Sequence, residues 1–173
     1  KGGSHFGSSI HVLLSIRGVR CHCKLHSYNM APVECSADVK ATPQTIWRNC
    51  FEHMAWERWD PDLKEVKDAS GGCENGATCV FAMKDGLDIQ MTLSNVEKNK
   101  SLDFSGGAYR GTVRCVGKIV ITPVDAASSK IDYSFELFGC FGSLVALLNN
   151  KAVVGGTETG LANMVKLSED ATE

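Results

Sequence analysis

From Val33 to Lys40 apolar and polar residues alternate without a break, as one strand of a half-buried sheet requires. Thr42-Pro43 follows. Thr is a good N-cap and Pro suits the first helical position, so a helix carrying Ile46, Trp47 and Cys50 starts there. Phe51 to Met54 reads as a second short helix or turn. Trp56-Glu57-Arg58-Trp59-Asp60-Pro61 comes next, with Asp60 held extended by the proline after it. The pattern then becomes a meander. Strands are predicted over 63–69, 77–84, 88–96, 101–105, 112–124 and 130–138, with Asp85-Gly86 as a tight hairpin turn. From Ser143 to about Ser168 the period turns helical. Leu144, Leu147, Leu148, Leu161, Met164 and Val165 share one broad stripe, interrupted by Gly155-Gly156, which predicts a kink or bulge. The order is β, two short helices, six strands and a long helix: an α+β chain.

The alternation also assigns faces. Val33, Cys35, Ala37, Val39, Ala77, Cys79, Phe81, Met83, Ile89, Met91, Leu93, Leu102, Phe104, Val113, Cys115, Gly117, Ile119, Ile121, Ile131, Tyr133, Phe135 and Leu137 fall on the covered side. Glu34, Asp38, Asp88, Gln90, Arg114, Lys118, Asp132 and Glu136 fall on the solvated side. The covered face carries no carboxylate, and Tyr133 is its one hydroxyl.

Charge separates the start of the chain from the rest. Residues 1–29 hold four basic side chains and no acid; residues 30–173 hold 14 basic and 20 acidic ones. The first segment is expected to be an extension: a targeting, leader or appended sequence. Cys21-His22-Cys23 with His26 is poorly spaced for a tetrahedral metal site, so no metal is expected. The eight cysteines are scattered with no CxxC, and several sit at apolar strand positions, so reduced thiols are expected. A net charge of −2 and the absence of a long apolar run argue against nucleic acid and a membrane span. An intracellular, cytoplasmic location is expected, with organelle import as the alternative if residues 1–29 are a transit segment.

The stretch Ala37 to Val66, ADVKATPQTIWRNCFEHMAWERWDPDLKEV, resembles the START-like (SRPBCC, Bet v 1-like) superfamily in its polyketide cyclase/dehydrase and lipid-transport branch. Ala41, Pro43, Ile46 and Trp47 match the helix start, and Trp56, Trp59 and Pro61 match the segment leading into the second strand. The closing ETGLANMVKLSED is similar to the family's last helix. The resemblance spans about 33–170 and implies a helix-grip fold, a curved antiparallel sheet around the C-terminal helix with a cavity between them. It implies binding or transport of an apolar ligand (a lipid, an isoprenoid-like or an aromatic molecule). The alternatives are a polyketide cyclase/dehydrase-type enzyme and a protein-interaction module.

The expected ligand contacts are Trp56, Trp59, Phe81, Met83, Met91, Phe104, Cys115, Gly117, Tyr133, Phe135 and Met164. Small residues such as Gly117 are expected to leave room for the ligand. Acid–base candidates are thin: His53, Tyr133 and Glu158, with Arg114 as a further polar group. The Gly106–Gly111 stretch lacks the features of a phosphate loop and reads as a hairpin loop beside the cavity mouth, a candidate gate. No cofactor is expected, and the chain is expected to be a monomer or weak dimer, with a protein partner as an option.

Overall fold

Val33, Cys35, Ala37 and Val39 are buried while Glu34 and Asp38 are exposed, because the sheet covers one face and leaves the other to water. The computed structural model describes residues 9–16, 19–26, 32–140 and 150–172, with the backbone alone for the first two segments and for Asn150. The strands are β1 (Ser9–Ile16), β2 (Val19–His26), β3 (Val33–Val39), β4 (Leu63–Lys67), β5 (Thr78–Met83), β6 (Asp88–Glu97), β7 (Ser101–Ala108), β8 (Val113–Pro123) and β9 (Ser129–Phe138). Helix α1 is Pro43–Cys50 and helix α2 is Asn150–Glu169. Trp56–Arg58 and Tyr109–Gly111 form single 3₁₀ turns.

All nine strands form one antiparallel sheet in the order β1-β2-β3-β9-β8-β7-β6-β5-β4. The non-local step is β3 on β9, running from Val33 opposite Phe135 to Val39 opposite Ser129. It brings the start of the meander beside its end, and α2 packs across β3, with contacts to β2, β9 and α1. This is the helix-grip architecture. The seven strands expected from Val33 onward are present, each within a few residues of its expected limits.

Helix α1 starts as the sequence requires. Thr42 is extended, its hydroxyl accepts the Thr45 N–H at 3.3 Å, and Pro43 takes the first turn. Ile46, Trp47 and Cys50 are its buried face. The segment after it is not a second α-helix. Phe51–His53 turns, Met54 takes a left-handed φ of 54°, and Trp56–Arg58 makes one 3₁₀ turn. The chain breaks the helical period there so that Trp56 and Trp59 can both point inward, at 0% and 1% exposure.

Two further differences have physical causes. Strand β7 runs on to Ala108, with Gly106 and Gly107 inside the ladder opposite Cys115 and Arg114. A Cβ at Gly106 would lie 2.1 Å from Met91 Sδ, so the glycine admits a neighbouring side chain rather than ending the strand. Helix α2 continues through Gly155-Gly156 without interruption. The segment 141–149, with Leu144, Leu147 and Leu148 of the expected stripe, lies outside the described residues.

Residues 1–29 were set apart by their composition. Within them β1 and β2 pair along eight positions, and β2 adds to the β3 edge from Cys21 opposite Ala37 to Lys24 opposite Glu34. The side chains of Cys21, His22, Cys23 and His26 lie outside the described ones. The expectation of uniformly reduced thiols does not hold at Cys35, which is disulfide-bonded. The residue opposite it in register is Cys23. Cys50, Cys73, Cys79, Cys115 and Cys140 are free. Among the described residues no helix is long and apolar enough to cross a membrane.

Candidate functional site

The segment Trp56–Asp62 is fixed from both sides by its own hydrogen bonds. Trp59 Nε1 donates to the Cys50 carbonyl at 3.0 Å, anchoring it to the end of α1. Asn163 Nδ2 donates to the Trp59 carbonyl at 2.9 Å, anchoring it to α2. The Asp62 N–H donates to Asp60 Oδ1 at 2.9 Å, a turn closed by the aspartate side chain, as expected before and after a proline. The Lys84 N–H then donates to the Asp62 carbonyl at 2.9 Å, and Lys84 Nζ to the Pro61 carbonyl, which ties the turn to the end of β5.

This turn forms one wall of a cavity of about 1110 Å³. The opposite walls are Met83, Leu87 and Ile89 of the β5–β6 hairpin and Val113, Cys115, Tyr133, Phe135 and Leu137 of β8 and β9. Helix α2 contributes Val153, Gly156, Thr157 and Gly160, whose three- and four-residue spacings place them on one face. Lys84, Asp85, Gly86 and Tyr109 on the rim are exposed, so the cavity opens there. The size suits a lipid or a multi-ring molecule, and the mixture of many apolar side chains with few polar ones is that of ligand pockets.

The two glycines explain how α2 comes so close. A Cβ at Gly156 would lie 2.8 Å from Asp62 Oδ2, and one at Gly160 would touch the Trp59 ring at 3.6 Å. Gly156 is therefore a close-approach position for the aspartate turn, not a kink.

Five of the eleven expected contacts are on the cavity wall: Trp59, Met83, Cys115, Tyr133 and Phe135. The other six, Trp56, Phe81, Met91, Phe104, Gly117 and Met164, are not on the wall; they belong to the packed core behind it. Trp56 sits at the centre of an aromatic cluster, with ring centroids 5.3 Å from Trp59, 5.2 Å from Phe81 and 5.3 Å from Phe104. Gly117 leaves no room for a ligand, because Phe104 fills the space above it. Met164 is fully buried; its carbonyl accepts the Ser168 hydroxyl of the same helix at 2.7 Å and faces the Cys50 thiol of α1 at 3.8 Å.

Of the polar candidates, only Tyr133 lines the cavity. His53 is exposed on the turn after α1. Arg114 is exposed on the outer face, its Nε donating to the Gly111 carbonyl at 3.1 Å. Glu158 is 5% exposed but lies off the wall-forming stripe of α2, and burial raises its pKa above the usual carboxylate value. The Gly106–Gly111 stretch does border the mouth through Tyr109, which is 70% exposed. Tyr109, Arg110 and Gly111 all take positive φ values there.

The wall also holds groups that the face assignment missed. Asp60 and Asp62 line it from the turn, so the cavity does contain carboxylates. Burial raises the Asp60 pKa; hydrogen bonds from the Asp62 and Leu63 backbone N–H groups oppose the rise. Burial, then the charge of Asp60, raises the Tyr133 phenol well above its usual value. Burial likewise lifts the Cys115 thiol to about 11. At neutral pH the phenol and the thiol are therefore uncharged.

The comparisons with known proteins agree with this architecture. No curated protein matches the chain by sequence. Among solved structures, protein XoxI from Bacillus cereus superposes with a TM-score of 0.63 at 17% identity, covering 83% of this chain and 99% of that one. Hypothetical protein jhp0584 from Helicobacter pylori gives 0.67 at 13% identity, covering 78% and 86%. The di-domain ARO/CYC BexL from the BE-7585A biosynthetic pathway gives 0.65 at 17% identity, covering 83% of this chain and 48% of that one. At such identities the likeness is one of fold. The family model for polyketide cyclase / dehydrase and lipid transport matches residues 30–169, and the chain belongs to that family.

Proposed function

We propose that the protein binds an apolar or aromatic small molecule, as a carrier or store, in the cavity between α2 and the sheet. The observation that carries this reading is the cavity itself: about 1110 Å³, open at one rim, and walled mainly by Trp59, Met83, Ile89, Val113, Phe135 and Leu137. Burial of apolar ligand surface there contributes roughly 25 cal/mol per Å² before the costs of association. The family and the ARO/CYC neighbour support a ligand-binding or cyclase-like use of the fold.

The test is native mass spectrometry of the purified protein, together with titration of a neutral solvatochromic dye. A co-purified apolar mass, or saturable dye binding displaced by lipids or flat aromatics, is the expected result. Competition by nucleotides or sugars, or no dye binding, overturns the reading.

A second reading, a cyclase or dehydrase-type enzyme, has its own observation. Asp60 and Tyr133 line the same cavity and offer a carboxyl group and a neutral phenol to one ligand. The test for that reading is turnover of a bound polyketide-like substrate by the wild type, lost about a hundredfold in Asp60→Asn or Tyr133→Phe with ligand affinity intact. The interaction-module reading has less support. Among the described residues the exposed large apolar side chains, Tyr109, Val116 and Val124, are scattered rather than gathered in a patch.

A further inference from the structure

The cavity is apolar in bulk but acidic at its entrance. Asp60, Asp62 and Asp85 all line it, and Lys84 is the one cation among the described lining residues. Lys84 directs its Nζ to the Pro61 carbonyl instead of a carboxylate. Arg110 and Lys151 adjoin wall residues in sequence but are not on the wall themselves. Asp85 is occupied by its own hairpin, where Oδ1 accepts the Leu87 N–H at 3.0 Å. Neither Asp60 nor Asp62 forms a salt bridge among the described residues.

A second group points to a ligand independently. Tyr133 is 7% exposed, lines the cavity, and its hydroxyl has no hydrogen-bond partner among the described residues. The hydroxyl opens on the cavity, where a ligand or water supplies the partner that the protein does not. A phenol both donates and accepts, whereas a carboxylate only accepts. The chemistry that satisfies both is a head group with N–H or O–H donors. An anionic head group would meet the phenol but also two carboxylates that no salt bridge neutralises; Asp60 accepts the Asp62 N–H through Oδ1, which leaves its charge without a cation.

We propose that the cavity selects amphiphiles whose polar end is a hydrogen-bond donor, cationic ammonium before neutral hydroxyl, held by Asp60, Asp62 and Tyr133, and that it discriminates against anionic lipids such as fatty acids. This inference rests on the ligand-binding reading and names the substrate class of that same site.

The experiment is displacement of a neutral solvatochromic dye from the full chain at pH 7.5 by three molecules with one fourteen-carbon tail: tetradecylamine, tetradecanol and tetradecanoate, each below its critical micelle concentration. The amine is expected to bind at least tenfold more tightly than the carboxylate, with the alcohol between them. In Asp60→Asn/Asp62→Asn the amine-to-carboxylate ratio is expected to fall below threefold, with the alcohol little changed. Asp38→Asn/Asp132→Asn makes the same charge change on the outer face and is expected to leave the ratio intact. Tetradecanoate binding as tightly as the amine in the wild type overturns the proposal while the ligand-binding reading stands. So does a ratio that responds equally to the outer-face variant. Failure of the dye and all three molecules to bind overturns the ligand-binding reading and this inference with it. The wild-type ranking decides the matter without relying on any variant to fold.

Discussion

The ring of Phe104 occupies the space that a side chain at Gly117 would need: a Cβ there would lie 2.0 Å from Phe104 Cζ and 2.5 Å from Cε1. The two residues face each other across the β7–β8 ladder. Gly117→Ala is therefore expected to destabilise by about 1–3 kcal/mol through overpacking, and Gly117→Val by more. Urea unfolding measures it. Combining Gly117→Ala with Phe104→Leu should cost less than the sum of the single changes, because the smaller side chain yields the space. Additive losses would show that the clash is relieved elsewhere.

That contact also marks where alternation along the strands stops being informative. Period two places Gly117 and Phe104 on the covered face, and both are buried there. It does not say whether a small residue on that face leaves a hole or receives a neighbour's ring, because that depends on the register between strands. The same limit applies to α2. Gly155-Gly156 signals weakness in an isolated helix, yet its partner, the aspartate turn, is almost a hundred residues away in sequence. A loop has no period to assign its faces, so nothing in the alternation marks Asp60 and Asp62 as wall residues. The one available clue was their position directly after Trp59, at a segment already placed near the cavity. In β2, Val19, Cys21, Cys23 and Leu25 alternate with Arg20, His22, Lys24 and His26. There the strand signal was legible, and the basic composition of the segment obscured it.

The glycines of α2 separate helix propensity from packing. A Cβ at Gly155 meets nothing within 4 Å, so Gly155→Ala should stabilise by about 0.5–1 kcal/mol. Gly156→Ala gains the same propensity but presses on Asp62 Oδ2, an exposed side-chain end that can turn away. It should be closer to neutral in thermal stability while weakening dye binding. A stabilisation of Gly156→Ala equal to that of Gly155→Ala, with dye affinity unchanged, would mean that the helix and the turn do not press on each other.

Two tryptophans of the same cluster should respond differently to loss of their indole N–H. Trp59 Nε1 donates to the Cys50 carbonyl, whereas Trp56 Nε1 is buried with no partner. Trp59→Phe loses ring volume and leaves that carbonyl without the bond, at a cost of about 2–3 kcal/mol. Trp56→Phe loses similar volume but removes an unsatisfied donor, so its cost should be smaller by about 1 kcal/mol or more. Equal losses in denaturant unfolding would show that the Trp56 N–H finds a partner in solution.

Asp60 makes stability depend on pH in a direction opposite to that of a salt-bridged carboxylate. Its pKa is raised in the folded protein, chiefly by burial, so the folded state holds its proton at a pH where the unfolded chain has released it. Its contribution is fully present below the unfolded pKa of about 3.9 and is lost as pH rises through the folded value. Asn cannot ionise and still offers Oδ1 to the Asp62 N–H. Asp60→Asn is therefore expected to gain stability relative to wild type as pH rises from about 4 to 7, the gain levelling off above the folded pKa. The neighbours that bear on this titration are Asp62, Lys84, Tyr133 and Cys115. A stability difference flat across that range would place the Asp60 pKa at its unfolded value.

The remaining prediction concerns whether residues 30–173 fold without the segment before them. The family match begins at residue 30, and the β3–β9 pairing, α1 and the whole cavity wall lie beyond that point. These features favour an autonomous core, and a chain beginning at Met30 is expected to unfold cooperatively and to bind the neutral dye as the full chain does. It should nevertheless be less stable. Removing residues 1–29 takes away β1, β2 and both cysteines that precede Cys35, so the disulfide of Cys35 is lost as well. Loss of a native disulfide typically costs about 2–5 kcal/mol. Strand β3 also becomes an unprotected edge, its backbone groups open to another chain, so the shortened protein should self-associate more readily. Reducing the full chain should reproduce the disulfide's share of the loss without the self-association. Thermal unfolding and sedimentation of the two chains, with and without reductant, separate these effects. A shortened chain without a cooperative transition would show that the first two strands are an integral part of the domain.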